Sequence, residues 1–361
     1  MSGHRACDGC CARSWLLSRL ASRLEPVRSR IEPLLRLGSH QLIAAVGGDQ
    51  RELLTAELLR FDPRIAWERC EAAQLEPICA CDASFPQPLR SLEGPPAMLY
   101  VAGGLERFLS AVAEDPVAIV GARRPSPYGL DVAKSLARGL GAAGLTVVSG
   151  MALGIDSAAH LGALEARAAT IAVLPSGLDR PYPRSSRGLY RRILSVGAAV
   201  SELPPGADVW RWMFPARNRI IAALSAMTVL VEARHGSGSL ITVARARELG
   251  RLVGAVPGRV TSALAAGPNG LIADGDAVVR SPEDVLASLF GSEVRAVAEE
   301  RRAPLSPELA ALLEAISDGV DTTAALTGRG FDADEGLALL ASLELGGYVR
   351  REAGGRYSVL P

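Results

Sequence analysis

Between residues 117 and 258 the chain repeats one pattern six times, and this repetition constrains the fold more than any other feature. Each repeat is a short apolar run followed by a turn and usually by a helical pattern; the runs are VAIVG, TVVSG, TIAVLPSG, AAVSE, MTVLVEA and LVGAVPG. Strands that are apolar throughout are typical of a parallel sheet covered by helices on both faces. The pattern predicts an α/β domain with a Rossmann-like, doubly wound, mainly parallel sheet.

The segments on either side of this domain have a different hydrophobic pattern. Leucine and alanine recur at helical spacing up to about residue 75, which predicts a helical domain over 1–80 ahead of the α/β domain over 81–290. After a linker over 291–305, three short helical patterns and a glycine-turned hairpin occupy 306–361. This is the element order of a winged helix.

Length and hydropathy predict an ordinary globular protein. With 361 residues, of which 48% are hydrophobic, the chain can bury a large core in two or three domains. Its apolar runs are shorter than the roughly 18 residues that a membrane helix needs, and SWLLSRLA is too short and too arginine-flanked for a signal peptide. We therefore expect a cytoplasmic protein without a membrane partner.

Six cysteines lie at positions 7, 10, 11, 70, 79 and 81, which is not the even spread of a secreted disulfide scaffold. Cys7 and Cys10 form a CxxC close to His4 and Cys11, enough for two zinc ligands. No second CxxC or HxxxH follows to complete a tetrahedral set. Incidental or packing cysteines are the preferred interpretation, so no metal ligand is assigned, and a metal site stays open as the alternative.

Formal net charge is zero, but the charge is unevenly distributed. Residues 117–259 contain 18 Arg or Lys against 8 Asp or Glu, a net of +10, whereas residues 281–361 contain 7 against 14, a net of −7. Lys134 is the only lysine, and arginine forks suit phosphate better than lysine does. A coding bias of the genome explains the ratio of Arg to Lys equally well, but it does not explain where the charge clusters.

The segments that follow the strands are where a site is expected, because ligands of open α/β sheets bind at the carboxyl ends of the strands. Here they are GARRPS, SGMALGIDSAAH, PSGLDRPYP, SELPPG, EARHGSGSLIT and PGR. Their small residues expose backbone N–H groups that can hold phosphate at helix N-termini. The dinucleotide fingerprint GxGxxG and the P-loop GxxxxGK are both missing, so we expect no nucleotide cofactor.

Arginine stands at this edge of the predicted sheet where such loops usually have glycine. Arg123 and Arg124 follow the first strand, and their guanidinium forks suit a phosphodiester. Five more arginines fall between residues 180 and 192, with no acidic residue from 180 to 201. The stretch WRWMFPARNR, residues 210–219, interleaves aromatics with cations as single-strand binders do. Core packing explains Trp212 equally well, and the sequence does not decide between the two.

Catalytic residue sets are weak in this sequence. Asp156 and His160 are four residues apart on a predicted helix and share a face. Without a nucleophile or a third ligand, a capping and packing role is preferred for the pair. Ser237 and Ser239 follow Glu232 and are placed to cap a helix, and none of these serines lies in GxSxG. We therefore assign no catalytic residue.

An ordered series of motifs from about residue 80 to 290 resembles the DNA-processing protein family DprA, also called Smf. The series is DASFPQPLRSL, PPAMLYVAGG, IVGARRPSPYG, VVSGMALGIDSAAHLGAL, TIAVLPSGLDRPYP, VSELPPG, FPARNRIIAALS, VEARHGSGSLITVARAREL, AVPG and GPNGLIADGDAVV. The N-terminal helices are similar to that family's sterile-alpha-motif-like (SAM-like) domain and the C-terminal segment to its winged helix. The resemblance implies a non-enzymatic homodimer that binds and protects single-stranded DNA and loads the recombinase RecA in natural transformation.

The resemblance also carries residues over to this chain. It implies DNA contacts from Arg123, from Arg184, where lysine is common, and from the Phe-Pro-x-Arg-Asn-Arg segment. Pro175 replaces a glycine common in the family and has no backbone N–H for phosphate. With the strand-end residues included, the expected DNA-binding set is Gly121, Arg123, Arg124, Ser149, Gly150, Gly154, Ser176, Gly177, Arg184, Phe214, Arg217, Asn218, Arg219, Ser237 and Ser239.

Two other function classes account for fewer of the observations. A nucleotide phosphoribohydrolase has a similar sheet but uses PGGxGTxxE, and the nearest stretch here, RHGSGSLITVAR, has no glutamate at the matching place. A structural adaptor leaves the net charge of +10 over residues 117–259 unexplained. The acidic C-terminal segment would be repelled by phosphate, so we expect it to contact protein instead.

Overall fold

The computed structural model describes residues 6–291, 305–352 and 354–359. The chain divides into two compact units, Met1–Leu289 and Phe290–Pro361. His4 and nearly all of the predicted linker over 291–305 lie outside the described residues.

The N-terminal part of the first unit is helical. Its helices are α1 Asp8–Arg19, α2 Ala21–Leu24, α3 Ile31–Leu35, α4 Ser39–Val46, α5 Arg51–Leu59 and α6 Pro63–Ala72, with 3-10 turns at Arg28–Arg30 and Gly48–Gln50. Their leucines share one core with Trp212 and Met213 from the α/β part of the unit. The side chain of Trp212 is 1% exposed, and its indole N–H donates to the carbonyl of Ala21 at 3.0 Å. Trp212 is therefore a core residue.

Nine strands form the central sheet of the first unit. They are β1 Glu76–Cys79, β2 Met98–Ala102, β3 Val117–Val120, β4 Val147–Ser149, β5 Thr170–Val173, β6 Ala198–Ser201, β7 Met227–Leu230, β8 Leu252–Ala255 and β9 Ala277–Val278. The order across the sheet is β1-β2-β6-β5-β4-β3-β7-β8-β9. Neighbours from β6 to β9 are parallel, and only the pairs of β2 with β1 and β6 are antiparallel. The six runs read from the sequence are β3 to β8, which confirms the mainly parallel α/β sheet.

Helices connect these strands. They are α7 Gln87–Arg90, α8 Leu105–Ala111, α9 Pro127–Ala142, α10 Ile155–Glu165, α11 Arg187–Val196, α12 Met213–Leu224, α13 Gly238–Glu248, α14 Ala266–Ala273 and α15 Pro282–Phe290, with a 3-10 turn at Arg184–Ser186. From β3 the chain moves outward on one side through β4, β5 and β6, and then returns to β7 on the other side of β3. The loops after β3 and β7 therefore diverge, and such a reversal opens a crevice at the carboxyl ends of the strands.

The second unit has the element order predicted for the C-terminal segment. It contains α16 Pro307–Ser317, α17 Thr323–Gly328 and α18 Ala333–Leu345, followed by the antiparallel pair β10 Val349–Arg351 and β11 Tyr357–Val359. Leu312, Leu340 and Leu343 form the centre of its own core. The winged-helix assignment itself stays a prediction. None of the helices in the described ranges is both long and apolar enough to traverse a lipid bilayer.

Candidate functional site

The crevice between the ends of β3 and β7 opens into a pocket of about 620 Å³. A smaller pocket beside it shares some of its walls and is also lined by Gly150. The larger pocket brings together many of the residues expected from the sequence, namely Gly121, Arg123, Arg124, Phe214, Arg217, Asn218, Ser237 and Ser239. Its size suits a nucleotide-sized group.

Gly121 makes the turn after β3 tight enough to form this crevice. A Cβ atom at this position would lie 2.7 Å from a side-chain carbon of Ile155 and 2.9 Å from the carbonyl oxygen of Glu232. The next residue, Ala122, donates its N–H to that same carbonyl at 2.7 Å. Beyond the turn, Arg123 and Arg124 are exposed at the rim of the pocket.

Glu232 occupies the N-terminus of α9. Its carboxylate accepts hydrogen bonds from the N–H of Ser126 at 2.8 Å and from the Ser126 hydroxyl at 2.6 Å. Negative charge is favourable at a helix N-terminus, so this carboxylate stands where a bound pyrophosphate would lie in a dinucleotide-binding fold. The expectation that the loop offers free N–H groups to phosphate is therefore wrong for this helix.

Asp156 takes up N–H groups of the loop between β4 and α10. Its buried carboxylate accepts from the N–H of Gly150 at 3.1 Å and of Ala152 at 3.3 Å. Burial raises the pKa of Asp156, and the guanidinium of Arg217 acts in the opposite direction. Since the Gly150 amide already has this partner, it is not a phosphate donor as the sequence suggested.

Arg217 forms the floor of the pocket. The side chain is 7% exposed, and its Nη1 donates to the carbonyl of Gly150 at 2.7 Å and to that of Val173. Burial lowers the pKa of Arg217 to about 10, against the effect of Asp156, so the guanidinium keeps its charge at neutral pH. The ends of two strands, β4 and β5, are thus fastened to α12 through one side chain, which lines the pocket but does not project into solvent.

His160 lies deeper, at the back of α10. Its Nδ1 is 2.7 Å from the hydroxyl of Thr170, and because that hydroxyl donates to the carbonyl of Val147, its oxygen accepts the Nδ1 proton. Among the described residues the Nε2 atom has no hydrogen-bond partner. Burial lowers the pKa of His160 to about 3, and the charge of Arg217 adds to the shift. The imidazole fastens α10 to β5, in agreement with the packing interpretation.

Aromatic rings line the rim beside the arginines. The guanidinium of Arg123 lies over the ring of Phe214, 4.9 Å from its centroid. Tyr182 meets the same ring edge-on, with the centroids 5.6 Å apart. Tyr182 is 39% exposed, and its ring presents an apolar face beside positive charge. Tyr182 was not among the site residues expected from the sequence, although the DRPYP stretch that contains it follows a strand.

Arg234 extends the basic rim of the pocket, and Arg184 lies next to Pro183, which lines the smaller pocket. Arg184 is exposed in the 3-10 turn that follows Tyr182, and Arg234 is exposed in the loop after β7, where it lines the pocket with His235. In the part of the chain that the structure describes, no acidic side chain pairs with either of them or with Arg123. Arg234 was not among the site residues expected from the sequence, although its position directly after the apolar run MTVLVEA was the available signal.

The N-terminus of α13 forms the wall opposite Arg123. Ser237 caps this helix, with its hydroxyl accepting from the N–H of Ser239 at 3.4 Å, as the sequence suggested. Gly236 and Gly238 flank the cap, and a Cβ atom at either position would meet nothing within 4 Å. Unlike the start of α9, this helix start has open space and no carboxylate bonded to its N–H groups among the described residues.

Arg219 does not reach the pocket. Its side chain is 5% exposed, and its Nη2 donates to both carboxylate oxygens of Glu202 at 2.7 Å. Successive helical residues are rotated by about 100°, so Arg217 and Arg219 project from nearly opposite sides of α12. The sequence-based assignment of Arg219 to DNA is corrected: it forms a buried ion pair on the far side of the helix.

Four small residues from the expected set serve the packing around the crevice. Ser149 and Ser176 are fully buried, and the Ser149 hydroxyl donates to the carbonyl of Ile119 at 2.6 Å. A Cβ at Gly154 would lie 2.4 Å from the carbonyl of Ala122, and one at Gly177 would lie 2.8 Å from the carbonyl of Pro204. The sequence-based assignment of these four residues to DNA binding is also corrected, because none of their side-chain positions opens to a ligand.

Comparison with models of known protein families matches this chain to one family. The model of the DNA recombination-mediator protein A family matches residues 76–290. A DNA processing protein DprA of Mycobacterium tuberculosis is 42% identical over 206 residues, which cover 55% of this chain and 52% of the relative. The chain thus spans about half the length of the first curated relatives that it matches.

Two solved structures share the fold. DNA processing protein A from Streptococcus pneumoniae superposes with a TM-score of 0.63 at 31% identity, covering 77% of this chain and 95% of that one. The second is DNA processing protein A from Helicobacter pylori, described with its single-stranded DNA binding mode. It superposes with a TM-score of 0.52 at 30% identity, covering 57% of this chain and 93% of that one.

Proposed function

This chain belongs to the DNA recombination-mediator protein A family, and from that premise we propose that it binds single-stranded DNA without regard to sequence at the crevice between β3 and β7. One observation carries the proposal: exposed arginines without acidic partners among the described residues surround a pocket edged by aromatic rings. The family's role and the binding mode described for the Helicobacter pylori relative support it.

The rim arginines contact the phosphates in this proposal. Arg123, Arg124, Arg184 and Arg234 are the exposed members, and a guanidinium fork binds two phosphate oxygens at once. At the start of α13 the hydroxyl groups of Ser237 and Ser239 face the pocket, while their backbone N–H groups are already bonded to the carbonyl of Arg234 and to the Ser237 hydroxyl. Arg217 and Asn218 form the floor against which the strand rests.

The aromatic rings explain a preference for single strands. Phe214 and Tyr182 offer faces on which a base can stack only when it has left its own neighbours. Stacking tolerates any base because every base has a π-face, so binding of this kind carries little sequence information. In a duplex the same bases are paired and inaccessible to Phe214, and only phosphate contacts remain.

The protein acts without catalysis in this proposal. Asp156 and His160, the nearest candidates for acid–base chemistry, are buried and engaged with the backbone of the loop after β4 and with the side chain of Thr170. Glu232 is held by Ser126 at the start of α9, so it does not play the part of the phosphoribohydrolase glutamate.

The wider role follows from the family. We propose a cytoplasmic homodimer that protects incoming single strands and loads the recombinase RecA onto them during natural transformation, as the name recombination mediator suggests. The acidic second unit, with its winged-helix order of elements, contacts protein rather than DNA in this scheme because phosphate would repel it.

Fluorescence anisotropy with a labelled oligothymidylate tests the proposal. We expect saturable binding by the full-length protein that unlabelled single strands compete away and that duplex DNA of equal length competes away much less effectively. Equal competition by single strands and duplex would contradict the stacking role of Phe214 and Tyr182. Absence of binding at low salt would overturn the proposed function altogether.

A further inference from the structure

Four cysteines from two distant parts of the chain meet beside the start of α1. Cys7 precedes the helix and Cys10 lies in its first turn, while Cys79 ends β1 and Cys81 follows it. Their Sγ atoms all lie within 4.8 Å of one another, although 71 positions separate Cys10 from Cys81 in the sequence. The sequence expectation that nothing completes the CxxC is therefore corrected: a CxC supplies the second pair.

The sulfur atoms are close enough together to bind one small ion. The Sγ atoms of Cys10 and Cys81 are 3.7 Å apart. Four thiolates about 2.3 Å from a zinc ion, at the corners of a tetrahedron, are about 3.8 Å from each other. A disulfide would need about 2.05 Å, and all six cysteines are free thiols. An iron–sulfur cluster places several metal and sulfide atoms between its ligands and needs a wider arrangement.

A hydrogen bond to sulfur supports this arrangement. The backbone N–H of Cys7 donates to Sγ of Cys79 at 3.4 Å. Such outer contacts orient ligands and offset part of the negative charge that thiolates bring to a metal. Cys7 and Cys81 are exposed, which leaves an ion a route into the cluster.

From this geometry we propose that Cys7, Cys10, Cys79 and Cys81 bind one Zn²⁺ ion in a structural site. The four thiols release their protons as the ion binds. Four protein ligands close the coordination sphere, so the site has no open position for chemistry.

The metal would fix the start of α1 to the end of β1. The middle of α1 is already attached to the sheet, because the hydroxyl of Ser14 donates to the carbonyl of Glu202 at 3.2 Å and accepts from the hydroxyl of Tyr100 at 3.0 Å. A second attachment at the helix start would hold the N-terminal helices against the core that they share with Trp212. The proposal is independent of DNA binding.

Metal analysis of the full-length protein tests the proposal. Protein purified under reducing conditions with zinc sulfate, then desalted, should contain one zinc per chain by plasma mass spectrometry. Removal of the zinc and titration with Co²⁺ should give the charge-transfer and visible bands of tetrahedral cobalt thiolate, saturating at one equivalent. The variant Cys81→Ser should lose at least tenfold in affinity for Co²⁺, and circular dichroism checks that it is folded.

The matched control is Cys11→Ala, which changes the neighbour of Cys10 in sequence but not a member of the cluster. It should keep full zinc content and the wild-type cobalt spectrum. Wild-type protein without zinc and without the cobalt spectrum would overturn the proposal, as would equal metal affinity in Cys81→Ser and wild type. Bound iron with inorganic sulfide, or a mass loss showing a disulfide within the cluster in reducing buffer, would also overturn it.

Discussion

Replacing Arg123 with alanine isolates one phosphate contact from the rest of the pocket rim. The side chain is exposed, and its recorded contact is with the ring of Phe214, 4.9 Å from the guanidinium carbon. The substitution removes a charge without leaving a buried group unpaired. We therefore expect the free energy of unfolding to change by less than about 0.5 kcal/mol, so that any change in DNA affinity reports on the contact itself.

The size of the effect follows from the number of rim arginines. Each phosphate contact with a single strand contributes about 0.7 to the slope of log affinity against log salt. Contacts from Arg123, Arg124, Arg184 and Arg234 give a slope of about −2.8, so a fourfold rise in salt weakens wild-type binding about 50-fold. In Arg123→Ala the slope should be about −2.1 and the loss about 18-fold. At low salt the variant should also bind about tenfold more weakly, since a charged hydrogen bond contributes about 1.5 kcal/mol.

The assay is anisotropy of labelled oligothymidylate between about 50 and 200 mM salt. Arg138→Ala is the matched control, because Arg138 is also exposed but lies about 17 Å along α9 from the end at the pocket. It should keep the wild-type slope. The reasoning is refuted if Arg123→Ala and wild type have the same slope, or if Arg138→Ala flattens the slope as much as Arg123→Ala does.

Three further predictions test other parts of the molecule. Phe214→Leu should weaken single-strand binding by about 1–3 kcal/mol without changing the salt slope; a flatter slope would give Phe214 an electrostatic role. His160 has a folded pKa of about 3 against an ordinary 6.5, so it takes up a proton on unfolding below pH 6.5. The free energy of unfolding, measured by urea titration, should then fall by about 2 kcal/mol from neutral pH to pH 5. The variant His160→Gln should lack this part of the pH dependence, and the same pH dependence in variant and wild type would contradict the prediction. Deleting residues 306–361 should leave oligothymidylate affinity nearly unchanged, and a large loss would assign DNA contacts to that segment.

The sheet and its crevice could be predicted from the sequence because their signals are local. Parallel strands buried on both faces are apolar throughout, so β3 to β8 stood out as separate runs. The residues directly after a strand lie at the crevice whatever the order of the strands, and this placed Gly121, Arg123 and Ser237 correctly at the pocket. The order of the strands itself was not predicted, because pairing depends on contacts between distant segments.

The sequence-based assignments that the structure corrects concern residues whose role depends on the orientation of the side chain. Arg217 and Arg219 are only two positions apart on one helix. Arg217 forms the floor of the pocket, whereas Arg219 points away from it and forms a buried ion pair with Glu202. Free N–H groups were expected at α9, but Glu232 from another strand occupies that helix start. Partners of this kind come from elsewhere in the chain, and local pattern does not reveal them.

The cysteine cluster shows the same limit over a longer distance. The CxxC at Cys7 and the CxC at Cys79 are each incomplete as a metal site. Only the packing of α1 beside β1 brings the four sulfur atoms within 4.8 Å of one another. Spacing along the sequence was therefore the wrong criterion for completeness of the ligand set.

The fixed floor of the pocket has a consequence for how a strand leaves it. Arg217 is bonded to the carbonyls of Gly150 and Val173 before any ligand arrives, so binding reorders no buried group. The loss of conformational freedom falls instead on the long rim side chains, each giving up as much as about 2 kcal/mol when it is immobilised. Contacts of this kind break one at a time, and a strand held by them departs stepwise. In the proposed function, stepwise departure would let a second protein occupy each nucleotide as it comes free, without the strand ever being bare.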